Sequence, residues 1–418
     1  MAGRSLGILL DLGCRARYQI HTRGLENFTK SPSTLVVFNH RRDADTPIIA
    51  NCLFGRRGLI SRDPQPMFVA REDLFQTGFL TDYLKRWPEP LRESLAWLNL
   101  RPFLWTLQAY PMRRVAERTL GELLHDMLPE YGDTLLNQLL KPEWVERFQE
   151  LAPDPDHRLS LREAVGEPFR QLLVERYGLT KLTRERFRTW KPKERAVINA
   201  QLQLFVELLE AGETLQMAPE GAVSRDGHFA RIRAGLHIML NRPRVPVRVL
   251  PVGITYDFMA RGRQQVFVNV GPEMTGLRGL RPAEASARVA EAILAQSTIT
   301  ASQLASRLLL KVSAVGGDLI SREQLIEYVM SEAERWGRTG VHLDPRLTER
   351  GRLEERLEDY LEYCLGSGEL VFRDRDGFLI QASPERPVNG SNGNGVLCYI
   401  NNELTSLVDG LRGYAAIN

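Results

Sequence analysis

Leu35-Val36-Val37-Phe38-Asn39-His40-Arg41-Arg42-Asp43-Ala44-Asp45-Thr46-Pro47 places a histidine and carboxylates directly after a short apolar run. Four apolar residues bounded by polar ones read as a buried strand. Thr46-Pro47 reads as a helix start, with Thr46 as the cap and Pro47 in the first turn. His40 therefore falls in a strand-to-helix loop, where a sheet presents reactive groups. On one continuous helix His40 and Asp45 would stand roughly 140° apart at about 100° per residue, so only a tight loop can bring them together. If it does, Asp45 accepts a hydrogen bond from one imidazole nitrogen, fixes the tautomer and leaves the other nitrogen as a base. Asp43 competes for that role. The plain alternative is a histidine near a helix N-terminus among solvated charges, because H-x-x-x-x-D alone is a short pattern.

Working outward, 418 residues with 43% hydrophobic and 26% charged side chains suit a soluble globular chain with room for two domains. Cys14, Cys52, Cys364 and Cys398 are scattered without metal-ligand spacing, so neither a zinc site nor a disulfide framework is expected, and a reducing compartment fits. No apolar run approaches the roughly 20 residues that cross a bilayer, and Ser5 to Leu10 is broken by Asp11 without a signal-peptide cleavage pattern. The net charge is +3, carried mostly by arginine, so the placement of arginines matters more than their number. No G-x-G-x-x-G or phosphate-loop pattern occurs, and no nucleic-acid partner, metal or cofactor is expected.

Tyr18 to Thr22 alternates as a strand, Arg23-Gly24-Leu25-Glu26-Asn27 interrupts it, and Pro66 to Phe75 reads as strand then turn. Ser94 to Leu107 carries two tryptophans and a phenylalanine among leucines. That composition suits the boundary between water and lipid, or a core-facing helix interrupted at Pro102. From about 115 to 199 the pattern is mainly helical. Ala200 to Glu210 is amphipathic, Gly212 ends it, and Thr214 to Ala218 is a strand running into Pro219-Glu220-Gly221. A second loop thus leaves a strand end with a carboxylate and a conformationally permissive glycine. Val245 to Tyr256 and Gln265 to Val270 supply further strands, the former with prolines at its ends. Later segments read as helices over 303–314, 322–336 and 353–365, a hairpin over 369–380 turning at Asp376-Gly377, and a Pro/Asn/Ser/Gly linker over 384–395.

Taken together, the N-H-x-x-x-x-D block, Tyr110-Pro111-Met112-Arg113-Arg114, Pro219-Glu220-Gly221-Ala222-Val223-Ser224-Arg225 and the Pro-bounded strand after Val245 resemble, in that order, the four motifs of the glycerolipid acyltransferase superfamily. That superfamily comprises the glycerol-3-phosphate and 1-acylglycerol-3-phosphate O-acyltransferases. The resemblance implies an α/β fold: a mixed, mostly parallel sheet flanked by helices, with a helical insertion and a smaller C-terminal α+β domain. It implies an acyltransferase domain over 1–300 with the insertion at about 115–199, a helix-and-hairpin domain over 301–383, a linker over 384–396 and a C-terminal helix over 397–418. His40 would be the general base and Asp45 its orienting partner. Arg113 and Arg114 would hold the acceptor's phosphate, and Pro219, Glu220, Gly221, Ser224, Arg225 and Arg233 would shape the acceptor pocket. The loops at His40, Arg113 and Glu220 would meet in one cleft. One departure is Val223, where the family usually has arginine; Arg225, Arg231 or Arg233 can supply the charge instead.

The resemblance implies a fatty acyl group moving from a thioester of acyl carrier protein (acyl-ACP) or coenzyme A (acyl-CoA), a co-substrate rather than a cofactor. The acceptor would be glycerol 3-phosphate or a lysophospholipid such as lysophosphatidate. A cytoplasmic location is expected, with peripheral attachment to a membrane surface left open. Competing readings are acyl transfer to another lipid hydroxyl, a catalytically silent lipid-binding scaffold, and a metal-dependent glycosyltransferase built on Asp43-Ala44-Asp45.

Overall fold

The computed structural model describes residues 11–29, 31–58, 66–75, 88–93, 98–114, 118–154, 156–260, 262–314, 319–367, 370–374, 377–380 and 395–417. Seven strands form the main sheet: β1 Tyr18–Arg23, β2 Thr34–Phe38, β3 Met67–Arg71, β4 Ala109–Met112, β5 Thr214–Met217, β6 Arg248–Asp257 and β7 Gln264–Val270. Their order is β1-β7-β6-β2-β5-β3-β4. β2 pairs in parallel with β5 and β6, β3 with β5, and β1 with β7, whereas β6 and β7 run antiparallel. The fold is a mixed, mostly parallel α/β sheet flanked by helices. β2 sits at its middle and all five of its residues are buried, which is why Leu35 to Phe38 is uninterrupted apolar sequence rather than an alternation.

The chain divides into two compact units. The first holds the residues through Val69, Pro102–Ala109 and everything from Phe205 onward; the second holds Ala70–Arg101 and Tyr110–Leu204. The second unit has its own core, in which Leu120, Leu124, Met127, Leu140, Phe148 and Trp190 are buried together. Capping boxes close two of its helix starts, Thr119 with Glu122 and Ser160 with Glu163.

In the first unit, a boundary expected at residue 300 falls inside a shared core. Val252, Ile254 and Tyr256 of β6 bury with Leu304, Leu309, Val329, Leu357, Leu404 and Leu407 of the later helices. Buried charge joins the same parts. Asp257, at the end of β6, accepts from Arg356 Nε at 2.6 Å, Arg346 Nη2 at 2.5 Å and Ser302 Oγ at 2.6 Å. Those donors lie on three separate segments of the C-terminal region, which share their interior with β6 among the described residues.

Several local expectations shift. The helix after β2 spans Asp45–Gly58 and so begins before Thr46, because the Asp45 amide already donates to Arg42 O at 3.0 Å. Arg184–Glu210 is one helix, so the break expected at 199/200 is absent; Gly212 follows it at φ +85°. Pro251 lies within β6 rather than at its end. Pro102 is the second residue of a short helix, Arg101–Thr106, which buries none of its residues, so its aromatics are not core-facing; residues 94–97 lie outside the described residues. The hairpin pairs Leu370–Asp374 with Gly377–Ile380. Its two turn residues, 375 and 376, and the linker residues 384–394 also lie outside the described residues. The terminal helix spans Val396–Ile417.

Candidate active site

At the C-terminal end of β2 the chain leaves the sheet through Asn39. Its side chain bridges to the neighbouring strand, donating to Ile254 O at 2.8 Å and accepting from Ile254 N at 2.8 Å. That two-way bond fixes where the loop departs. The loop then turns so tightly that His40 Nδ1 stands 2.9 Å from Asp45 Oδ2. The same oxygen accepts the amides of Arg41 at 2.5 Å and Arg42 at 2.8 Å. Oδ1 accepts the Tyr256 hydroxyl at 2.6 Å.

Asp45 is fully buried and its two oxygens take four donors. A carboxylate so supplied stays an acceptor, and His40 Nδ1 therefore carries the proton that points at it. Nε2 is left with its lone pair. The His40 side chain keeps 11% of its surface, enough for a substrate atom to meet the ring edge. Asp43, the competing carboxylate, is exposed. Burial and the neighbouring Asp45 charge push the Tyr256 phenol well above its ordinary range, so it remains a donor. Arg42 stacks its guanidinium over Tyr256 at 5.1 Å and Phe258 at 4.6 Å.

The second loop, after β5, braces the backbone of the first. Glu220 Oε1 accepts the His40 amide at 2.7 Å, and its Oε2 accepts the Ala230 amide at 2.7 Å. Ser224 N donates to His40 O at 2.9 Å. His40 is thus held through its ring, its amide and its carbonyl. Pro219 O accepts from Arg233 N, and Gly221 turns the chain at φ +79°, where a side chain would be strained and its Cβ would sit 3.2 Å from Arg233 Cγ. Burial pushes the Glu220 carboxyl above its ordinary value, against the pull of Arg41 and the two amides.

The arginines divide. Arg225 and Arg233 are exposed in the loop that braces His40, and Arg233 Nε reaches Glu220 O at 3.2 Å. Arg113 belongs to the second unit and is enclosed by carboxylates: Glu72 takes Nε at 2.7 Å and Nη2 at 3.2 Å, while Asp126 and Glu194 lie 3.2 and 3.4 Å from Nη1. Burial opposes its charge, yet those carboxylates raise its pKa on balance. Arg114 lines a cavity of about 90 Å³ in the same unit with Arg71, Arg118 and Arg176 and with Glu72 and Asp73.

Sequence reasoning did not single out Arg41, Tyr256 or Glu403, and it quoted Asn39 in the first motif without a role. Tyr256 was legible in principle: β2 and β6 are parallel with Phe38 opposite Val252, so residues just beyond Val252 run alongside the loop that follows Phe38. Glu403 approaches from the terminal helix, with Oε1 3.3 Å from Arg41 Nε, and no local pattern announces that contact.

No protein-family model matches the chain, and no curated protein sequence matches it. Among solved structures the chain is similar to the 1-acyl-sn-glycerophosphate (LPA) acyltransferase PlsC from Thermotoga maritima, at 15% sequence identity over 70% of this chain and 76% of that chain, with a TM-score of 0.34.

Proposed function

We propose that the chain is an O-acyltransferase. It moves a fatty acyl group from a thioester of acyl carrier protein or coenzyme A to the hydroxyl of glycerol 3-phosphate or a lysophosphatidate. The observation that carries this reading is the 2.9 Å contact between His40 Nδ1 and a buried Asp45 that four donors hold in place. The order of the four sequence motifs supports the substrate class.

In the proposed reaction the acceptor hydroxyl attacks the thioester carbonyl while His40 Nε2 takes its proton. The new C–O bond gives a tetrahedral oxyanion, and Asp45 stabilises the imidazolium formed beside it. Collapse breaks the C–S bond, the proton passes from His40 to the leaving thiolate, and the ring returns to its starting form. No side chain is acylated. Arg233, in the loop whose Glu220 holds the His40 amide, is the cation we assign to an acceptor phosphate, with Arg225 exposed earlier in the same loop. Arg113, enclosed by carboxylates within the second unit, is not assigned that task. Exposed Phe103 and Trp105 in the helix Arg101–Thr106 support peripheral contact with a lipid surface, and no helix among the described residues is long and apolar enough to cross a membrane.

A second reading, transfer to a different lipid hydroxyl, draws on Val223 and on the carboxylates around Arg113. A labelled acyl thioester offered with a panel of glycerol 3-phosphate, lysophosphatidate and uncharged lipid alcohols separates the two. The proposal expects thiol release and a labelled phosphate-bearing product. Product formed only on an uncharged alcohol would favour the second reading, and no thiol release with any acceptor would leave a lipid-binding scaffold.

A further inference from the structure

The terminal helix Val396–Ile417 grips both loops of the candidate site. Glu403, 4% exposed, places Oε1 3.3 Å from Arg41 Nε, and its other oxygen receives Gln303 Nε2 at 3.4 Å. Arg41 passes the contact on: its Nη1 donates to Gly227 O at 2.8 Å, and its amide donates to the same Asp45 oxygen that holds the His40 ring. The helix also reaches the second loop directly. Asn402 Nδ2 donates to Asp226 O at 2.9 Å, and Ser406 Oγ accepts the Phe229 amide at 3.0 Å. Gly227 packs so closely beneath this helix that an added Cβ would lie 2.0 Å from Tyr399 O.

Oε1 of Glu403 has no aligned hydrogen-bond donor, so its attraction to Arg41 is a buried charge-to-charge contact. The proposed acyl transfer consumes neither group. The charged and titratable groups around the carboxylate are Arg41, Arg42 and Asp45 from the strand-to-helix loop and Tyr399 on its own helix; Arg307, on the helix that carries Gln303, is engaged with Asn401 and Thr405.

We propose that Glu403 is a positioning residue: through Arg41 it fastens the His40–Asp45 loop to the 219–233 loop, so that the terminal helix sets the geometry of the base. The inference rests on the reading of His40 as that base. Burial pushes the Glu403 carboxyl up to about 7, against the pull of Arg41, so the clasp loosens when the carboxyl gains its proton on the acid side of neutrality.

The test uses the full chain carrying Glu403→Gln, with Arg41→Lys as a second variant and the pair combined. Amide hydrogen exchange followed by mass spectrometry reads the loops without reference to activity. Exchange should rise about tenfold or more across 39–45 and 224–230 in each variant and stay unchanged in β6 and β7. Acyl transfer gives the second readout. kcat should fall about ten- to a hundredfold, as for a small misplacement of a catalytic group, with the acceptor's KM within about threefold. The wild-type kcat should fall with two protons on its acid side and the Glu403→Gln variant with one. The double variant should lose less than the product of the two single losses. Unchanged exchange in both segments, or an equal rise over the whole first unit, overturns the proposal, as does a kcat at the wild-type level with loosened loops. Should His40→Ala retain full activity, the base is misassigned, and the exchange results alone decide whether Glu403 holds the loops.

Discussion

Replacing Asp45 with asparagine keeps the shape of the side chain and removes its charge. With the amide oxygen in place of Oδ2, the contacts to His40 Nδ1 and to the Arg41 and Arg42 amides persist as neutral hydrogen bonds. The amide nitrogen then faces Tyr256, whose hydroxyl loses its acceptor. What disappears is the attraction between a carboxylate and the imidazolium formed during transfer. At 2.9 Å and an effective dielectric constant of about 20, that attraction is worth about 6 kcal/mol, a factor of roughly 10⁴ in rate. The asparagine dipole recovers part of it, so kcat should fall about 10³- to 10⁴-fold with little change in KM. The assay is thiol release in single turnover, with the far-UV spectrum and melting temperature checked first. His40→Ala should lose about 10²- to 10⁴-fold, and the double variant no more than the larger of the two single losses. A variant within tenfold of wild type, or losses that multiply in the double variant, would refute the coupling of ring and carboxylate.

Glu220→Gln leaves one of two buried amides, that of His40 or that of Ala230, facing an NH₂ group, and should cost about 1–3 kcal/mol in urea denaturation. Gly227→Ala combines a φ of +89° with a collision on the Tyr399 carbonyl, and should cost at least about 2 kcal/mol and raise exchange in the terminal helix. Asp257→Asn leaves Arg346 and Arg356 without their shared charge and should cost about 3–5 kcal/mol near neutrality. Burial opposes ionisation of Asp257, but Arg356, Arg346 and Ser302 together hold its carboxyl well below the usual carboxylate range. Its contribution is therefore present above its unfolded pKa of about 4 and is lost as the pH falls through that value towards the lower folded one. Acid denaturation curves of wild type and Asp257→Asn should converge there.

The parts legible in the sequence are the local ones. An apolar run with no alternation announced β2 because that strand is covered on both faces, and the spacing of His40 and Asp45 demanded a tight loop. The helix start was misplaced by two positions because Asp45 does two things at once: its backbone opens the helix while its carboxylate turns back to gather the loop amides. Arg113 reads as an available cation beside Arg114, yet its three carboxylates come from separate segments, at Glu72, Asp126 and Glu194, that only folding assembles. Glu403 is further still from His40 in sequence, and a charged residue in an amphipathic helix normally reads as solvent-facing. Its burial follows from the apolar packing of the terminal helix on the first unit's core, where Ile400 and Leu407 lie about one turn to either side of it.

The most direct measurement is the rate of acyl transfer by His40→Ala, compared with wild type under single-turnover conditions with a labelled acyl thioester and lysophosphatidate. The account predicts a folded variant whose rate is lower by about 10² to 10⁴, while binding of the acceptor is kept. A folded His40→Ala protein that transfers the acyl group as fast as wild type would contradict it.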